Sequence, residues 1–441
     1  MTTTSRISRR TALRGLAAAG LAAPFVFRAY AHGAPNETLN HASFGANGMA
    51  LADIGSLTAS KHVQLVAVAD VDMERTAAVR KRFPKARIYQ DWRELLDKEK
   101  GLNSVNVSTP DHMHAPITMR ALQQGLHVYT QKPLTQTIYE ARQLTRTARD
   151  RKIVSQMGIQ IHSHEVHRTV VAIIQAGTIG KIREVHSWSG KHWGDRKPRP
   201  DRSDPVPMSL NWSFWLGVAA ERPFLRGYYH PGEWRKRLDF GTGTFGDMGC
   251  HILDPVFTAL ALTAPLSVHS EGGAPGPDSW GLDSQVRYIF PGTKFAVDRV
   301  SLTWYDGDLR PPMNVRNLIG KRRLNDQGSI YIGSEGVLYS PYIAAPVLLP
   351  EEKFRGHKLP RPGHQDHYLQ FVEACRGNDR TSTPFDYSGP LTESVLLGCL
   401  ATRFRKRTLE WDAAKLQVTN VKEANAFVRR TYRKGWEVNG L

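Results

Sequence analysis

The chain has 441 residues, 41% of them hydrophobic and 23% charged, which is enough for two or three domains and a large core and excludes disorder, collagen and coiled coil. Lysine and arginine total 59 against 41 acids, a net charge of +18, yet the positive residues are interspersed with acids instead of forming one aromatic-studded stripe, which argues against nucleic acid. The longest apolar run, 15–27, has 13 residues, short of the roughly 20 that a membrane span needs.

Ser8-Arg9-Arg10-Thr11-Ala12-Leu13-Arg14 precedes that run and Ala29-Tyr30-Ala31 follows it. A charged region, a short apolar region and a small-residue cleavage site, in that order, read as a twin-arginine signal over 1–31, with a basic disordered tail or a mitochondrial-type presequence as the alternative. Five arginines and no acid lie in this segment, so the remainder carries +13. A route that exports folded proteins suits an enzyme that acquires a soluble cofactor in the cytoplasm. The expected location is therefore periplasmic or otherwise exported.

Between 38 and 157, short apolar stretches alternate with amphipathic ones: 63–69, 73–83, 91–96, 104–107, 116–124, 127–129, 138–150 and 153–157. Such alternation predicts a parallel sheet with crossover helices. The first turn, Ser43-Phe44-Gly45-Ala46-Asn47-Gly48, is G-x-G-x-x-G with serine in the first place, ahead of a helix-like 49–59. Gly45 lets the backbone approach a pyrophosphate at a helix N-terminus and Gly48 permits close packing of helix on strand, while Ser43 compromises the tight turn. Asp70 closes the next strand 22 residues beyond Gly48, where a ribose-binding carboxylate belongs; a helix cap is its alternative role. Such a carboxylate repels a 2′-phosphate, and neither Val71 nor Asp72 supplies a compensating cation, so NAD is favoured over NADP.

Two further strand ends border the same crevice, Ser108-Thr109-Pro110-Asp111-His112-Met113-His114 and Gln131-Lys132-Pro133. With Ser43, Gly45, Asn47, Gly48 and Asp70, the residues Thr109, Pro110, His114, Gln131 and Lys132 are candidate cofactor contacts. Lys132, in an extended turn before proline, is placed either to bind a substrate oxygen and ease loss of its proton or to be an ordinary surface lysine. After Ile161 the pattern changes to longer strands at 182–189, 266–270, 284–290 and 295–304, then a hairpin over 329–340 with a Gly333-Ser334-Glu335-Gly336 turn. Loops 191–209 and 305–327 read as insertions over a pocket, and 363–376 and 390–407 as closing helices. On a helix expected over 246–262, Asp247 and His251 share one face, as a catalytic dyad or as a surface pair.

The second-domain loops carry Trp188, His192, Trp193, Asn211, Trp212, Trp215, Tyr228, Tyr229, His230 and Trp234, which suit a sugar face or a local core, the latter especially for Trp212 and Trp215. His162, His164 and His167 cluster within six residues, but no carboxylate stands at ligand spacing, so no metal is expected. The three cysteines, Cys250, Cys375 and Cys399, have neither zinc spacing nor a disulfide framework.

Taken together, the turn at 43–48, Asp70, Thr109-Pro110-Asp111-His112-x-His114, Gln131-Lys132-Pro133, Gln156-Met157-Gly158 and Gly243-Thr244-Phe245-Gly246-Asp247-Met248-Gly249-Cys250-His251 resemble the Gfo/Idh/MocA sugar oxidoreductases over nearly the whole chain beyond the signal. That family usually has Glu-Lys-Pro at 131–133, and glutamine there looks like an exported subgroup. The resemblance implies a Rossmann domain over 38–157, then a substrate-binding α/β domain over 158–441 whose open, mostly antiparallel sheet supports a homo-oligomer. It also implies that Lys132 polarises the reacting hydroxyl, His251 takes its proton and Asp247 orients His251. The expected activity is NAD-dependent oxidation of a secondary hydroxyl of a sugar, polyol or glycoside. The alternative, also known in the family, is a glycosidase or lyase working by transient oxidation, elimination and re-reduction.

Overall fold

The computed structural model describes residues 38–441, so the twin-arginine segment lies outside the described residues. Strands β1 (Leu39–Phe44), β2 (Val63–Ala69), β3 (Arg87–Tyr89), β4 (Ser104–Val107), β5 (His127–Gln131) and β6 (Ser155–Gly158) form one parallel sheet in the order β3-β2-β1-β4-β5-β6. The order reverses between β1 and β4, and an open α/β sheet leaves its ligand crevice at that point, beyond the carboxyl ends of the strands. Helices α1 (Met49–Leu57), α2 (Ala77–Arg82), α3 (Trp92–Lys98), α4 (His114–Gln123) and α5 (Ile138–Asp150) connect the strands. Because helices cover both faces, the central strand β4 is buried throughout, and its polar Ser104 and Asn106 hydrogen-bond to His41 of β1. Asp91 caps α3, and a Thr137/Glu140 capping box starts α5.

After helix α6 (Glu165–Gln175), a nine-stranded sheet is built from β7 (Ile182–Ser189), β8 (Ser267–Gly272), β9 (Ser284–Pro291), β10 (Ala296–Asp306), β11 (Gln327–Gly333), β12 (Val337–Pro341), β13 (Val347–Leu349), β14 (Thr408–Asp412) and β15 (Gln417–Val418). Its order is β13-β12-β11-β7-β10-β9-β8-β14-β15, antiparallel except for the β7–β10 pair. The fold is thus a Rossmann domain followed by an α/β domain with a mostly antiparallel sheet. Strand β9 shows the alternation of a sheet with one core face: Ser284, Val286, Tyr288 and Phe290 are buried, and Arg287 is exposed.

Helices α7 (Trp212–Leu216), α8 (Gly243–Ile252), α9 (Asp254–Leu260), α10 (Met313–Arg316), α11 (His367–Cys375) and α12 (Phe385–Ala401) complete the fold. Phe245 on α8 stacks on Trp304 of β10 at 4.7 Å, and α12 packs against α5, α8 and β8, joining the two layers. The single helix expected over 246–262 is two helices broken at Leu253. Pro255 stands in the first turn of α9, where its missing N–H costs nothing, whereas inside one long helix it would remove a bond and clash. Helix α12 begins before Pro390 and ends at Ala401, earlier at both ends than the expected 390–407.

The segment between β7 and α8 is largely irregular and reaches back to the first sheet. Leu210 pairs with Asp72, Met73 N–H donates to Ser209 O at 2.9 Å, and Asn211 N–H donates to Val71 O at 2.9 Å. Trp212, Trp215, Phe224, Tyr229 and Phe240 form a core of this segment's own. The cysteines are free and buried; burial pushes the Cys250 thiol up to about 12 and raises Cys375 and Cys399 as well.

Candidate active site

A cleft runs along the carboxyl ends of β1, β2, β4 and β5 and is closed on its far side by Phe214, Trp215, His230, Trp234 and Arg235. At the end bordered by β1 and β2 the backbone shapes the cleft. Gly45 has φ +103°, and a side chain there would meet Ser108 O at 2.8 Å and the Ala50 Cβ at 2.9 Å. Only glycine fits both the conformation and the space. Gly48 precedes α1, and no side chain caps that helix, so its first N–H groups are left for a ligand. Asp70 accepts the N–H of Ala46 at 2.9 Å and of Asp72 at 3.0 Å. Burial raises its pKa, opposed by those two bonds and by the charge of Arg75.

The other residues expected in the turn divide. Asn47 lines the cleft and accepts the Gly48 N–H at 2.6 Å. Ser43 is buried, and its hydroxyl donates to Gly45 O at 2.8 Å, so it braces the turn from behind instead of facing the cleft. Arg75 lines this end beside Asp70, a cation that Val71 and Asp72 had not suggested. Its position on the short turn of helix after β2 was visible, but a basic residue in a surface helix is no signal by itself.

Thr109, Pro110 and Gln131 line the middle of the cleft. His114 does so too, with Nδ1 2.8 Å from Pro133 O and Nε2 2.8 Å from Thr109 O. Two carbonyls ask for an N–H on each nitrogen, but burial pushes the imidazole down to about 4. The neutral ring donates to one of them and ties the 109–110 turn to the 132–133 turn.

At the opposite end of the cleft, Lys132 Nζ donates to Asp247 Oδ1 at 2.6 Å and to Asp247 O at 3.2 Å. Trp193 Nε1 donates to Asp247 Oδ2 at 3.0 Å, and Arg235 Nε lies 3.6 Å from Oδ1. Burial alone would raise the Asp247 carboxyl, but the charges of Lys132 and Arg235 and the Lys132 hydrogen bond bring it to about 2. His251, one turn along α8, is buried, and its Nδ1 has no hydrogen-bond partner. Burial, reinforced by the Lys132 charge, pushes its imidazole down to about 3, which leaves a neutral base near a fixed cation. The expected Asp247–His251 hydrogen bond is not formed, because both oxygens of Asp247 are engaged by Lys132, Trp193 and Arg235.

Two carboxylates beside these residues were not expected there. Asp111 accepts from Thr242 at 2.7 Å, and burial pushes its carboxyl up to about 7. Asp53, on α1, accepts from Gln131 and Ser108 behind the cleft wall. Among the histidines weighed as metal ligands, His162 pairs with Asp254 at 2.9 Å, His164 caps α6 and His167 packs on Tyr342. No group of three metal-ligating side chains occurs among the described residues.

Residues 39–159 match a family described as oxidoreductases with an NAD-binding Rossmann fold, and residues 169–307 match the C-terminal α/β domain of the same family. The chain belongs to the Gfo/Idh/MocA oxidoreductases. It is 24% identical over 187 residues to levoglucosan dehydrogenase of Pseudarthrobacter phenanthrenivorans, covering 42% of this chain and 40% of that one. It is 23% identical over 187 residues to the NADP-dependent scyllo-inositol 2-dehydrogenase IolW of Bacillus subtilis, covering 42% of each. These matches span well under two thirds of the relatives' length. The WlbA dehydrogenase of Bordetella pertussis, solved with NADH and UDP-GlcNAcA, shares the fold with a TM-score of 0.61, at 14% identity over 86% of this chain and 98% of that one.

A dinucleotide fits this Gfo/Idh/MocA cleft. Gly45 has no side chain where the backbone must be approached, α1 presents an N-terminus without a side-chain cap, and Asp70 stands at the end of β2.

Proposed function

We propose that this protein is an exported NAD-dependent dehydrogenase that oxidises a secondary hydroxyl of a sugar, polyol or glycoside. The observation that carries the reading is the buried Lys132–Asp247 pair, 2.6 Å apart, in the same cleft as Gly45 and Asp70. Bound nicotinamide would supply the hydride acceptor. The chain does the rest. The Lys132 ammonium donates to the substrate oxygen and stabilises the negative charge that develops there, while Asp247 and Trp193 fix its position. Neutral His251, buried one helical turn beyond Asp247 and outside the residues that line the cleft, is the base this reading assigns to the hydroxyl proton. Gly45, Gly48, Asp70, Thr109 and Pro110 hold the cofactor, with Asp70 favouring NAD even though Arg75 stands beside it.

A cyclic carbohydrate as substrate is supported by the names of the two curated relatives and by the indole and guanidinium faces of Trp193, Trp234 and Arg235 around the reacting end. Export rests on the 1–31 signal. The division at 157/158 gives the nucleotide to the first unit, and substrate and self-association through the nine-stranded sheet to the second. The net glycosidase or lyase reading draws support from the need to recycle a reduced cofactor where free NAD is scarce.

The deciding experiment purifies the folded chain without added cofactor, denatures it and measures released nucleotide, then assays sugars and glycosides with product analysis. Bound NAD with a ketosugar product supports the dehydrogenase. Bound NAD with a released aglycone supports the alternative. A protein that neither carries nor binds a nicotinamide nucleotide overturns both.

A further inference from the structure

The most heavily solvated-looking residue of α1 by type is its most deeply buried polar one. Asp53 is fully buried, and three elements supply its hydrogen bonds. Ser108 Oγ, in the turn after β4, donates at 2.7 Å; Gln131 Nε2, at the end of β5, donates to both oxygens at 2.9 and 3.0 Å; Tyr368 OH, on α11, donates at 2.8 Å. All three donors are neutral, and no lysine, arginine or histidine hydrogen-bonds or ion-pairs with Asp53 among the described residues. A buried carboxylate normally has a cationic partner, because desolvation of an unpaired charge is costly.

Two of the three donors, Ser108 and Gln131, also line the cleft. Gln131 precedes Lys132, so Asp53 lies one side chain behind the reacting end. Lys132, Arg235 and Asp247 together leave one positive charge in excess at that end, and the Asp53 carboxylate stands behind it as a counter-charge. The two redox states of nicotinamide differ by one positive charge on the ring, and a charge held close to it acts on that difference. Resting on the dinucleotide reading above, we propose that Asp53 is a positioning residue that aligns the Gln131 amide and biases the reacting end toward the oxidised, cationic nicotinamide over the reduced, neutral one.

Hydrogen bonds from Asn106 to Ser108 at 2.8 Å and from Gln160 to Tyr368 at 3.1 Å hold the donors in turn. Facing Asp53 from the packed elements are Ser108, Gln131, Tyr368 and, next to it, Tyr129; beyond Ser108 and Asn106 stands His41. Burial raises both tyrosines and pushes His41 down to about 4. None of them changes charge between pH 5 and 8. Burial moves Asp53 itself up to about 6, against the pull of its three donors.

The test compares dissociation constants for NAD⁺ and NADH, measured by fluorescence titration at pH 8, in the protein and in Asp53→Asn. The expected result is a fall of about tenfold in the preference for the oxidised form, with Asp53→Asn/Gln131→Glu, which returns a carboxylate to the pair, restoring it. A purely structural Asp53 would move both constants together, and an unchanged ratio overturns the proposal. Tyr368→Phe, remote from the cleft and mild for folding, provides a second reading. It removes a donor to the anion and should shift the pH midpoint of the ratio upward by about one unit; no shift overturns the proposal even if Asp53→Asn does not fold. If neither nucleotide binds the unmodified protein, the dinucleotide reading itself fails. If only the NADP pair binds, the same ratio is measured on that pair.

Discussion

The two ends of the cleft are built in different ways. At the nucleotide end, main-chain groups dominate: Gly45 clears space, and the N–H groups of Ala46 and Asp72 orient Asp70. At the reacting end, side chains from distant parts of the chain converge on one carboxylate, with Lys132, Trp193 and Arg235 around Asp247. A main-chain site depends on local backbone shape and tolerates most side-chain changes outside its glycines and carboxylate. A side-chain site depends on tertiary packing, and its members act through one another. Mutations at the first end should therefore cost binding and stability together, and at the second end turnover alone.

The largest effect that would break this contrast is at Lys132. Lys132→Met should lower kcat/KM by about a thousandfold while the dissociation constant for the nucleotide, read by titration calorimetry, changes little; equal losses in both would merge the two ends. His251→Asn should reduce kcat by about a hundredfold, within the usual range for a lost general base, with melting temperature nearly unchanged. Gly45→Ala should do the reverse. A side chain at φ +103° that meets Ser108 O at 2.8 Å should cost about 2 kcal/mol of stability and most of the nucleotide affinity, as followed by thermal unfolding with and without ligand.

Acid sensitivity follows from burial. His41, His112, His114, His167, His251 and His367 are pushed down to about 3 or 4, against about 6.5 in an unfolded chain. The unfolded state therefore binds more protons over that interval, and the stability tied to these rings is present above pH 6.5 and lost as the pH falls toward 4. Asp53, Asp111 and Asp306, raised to about 6 or 7, run the other way and favour the folded state as pH falls through that range. The histidines outnumber them, so the melting temperature should drop between pH 7 and 5; a higher value at pH 5 would refute this. The smallest effect is expected at the rim. His230→Asn removes the 2.9 Å contact with Asp72 and should cost about 0.5 kcal/mol, but it should speed nucleotide release measured by stopped flow.

The same contrast explains what could be read from the residues alone. The parallel sheet was legible because short apolar stretches alternate with amphipathic ones, and the glycine turn and Asp70 lie within one short stretch of chain. Lys132, Asp247 and His251 came together only through a family resemblance, since 115 positions separate the lysine from the aspartate it holds. Local spacing suggested Asp247 as the partner of His251, and tertiary contacts redirected that carboxylate to Lys132. Ser43 was legible as a departure from the turn pattern, but not as a brace behind it. Asp53 gave no signal, because an aspartate in an amphipathic helix ordinarily faces solvent, and only Tyr368, from the far end of the chain, completes its burial.

The three thiols have a consequence for where such a fold can work. Thiol–disulfide exchange proceeds through a thiolate that is both formed and reachable. Cys250, Cys375 and Cys399 are buried, with acidities suppressed by that burial. The folded chain thus offers an oxidant neither an anion nor access. Its three thiols therefore stay free whether the surroundings are reducing or oxidising.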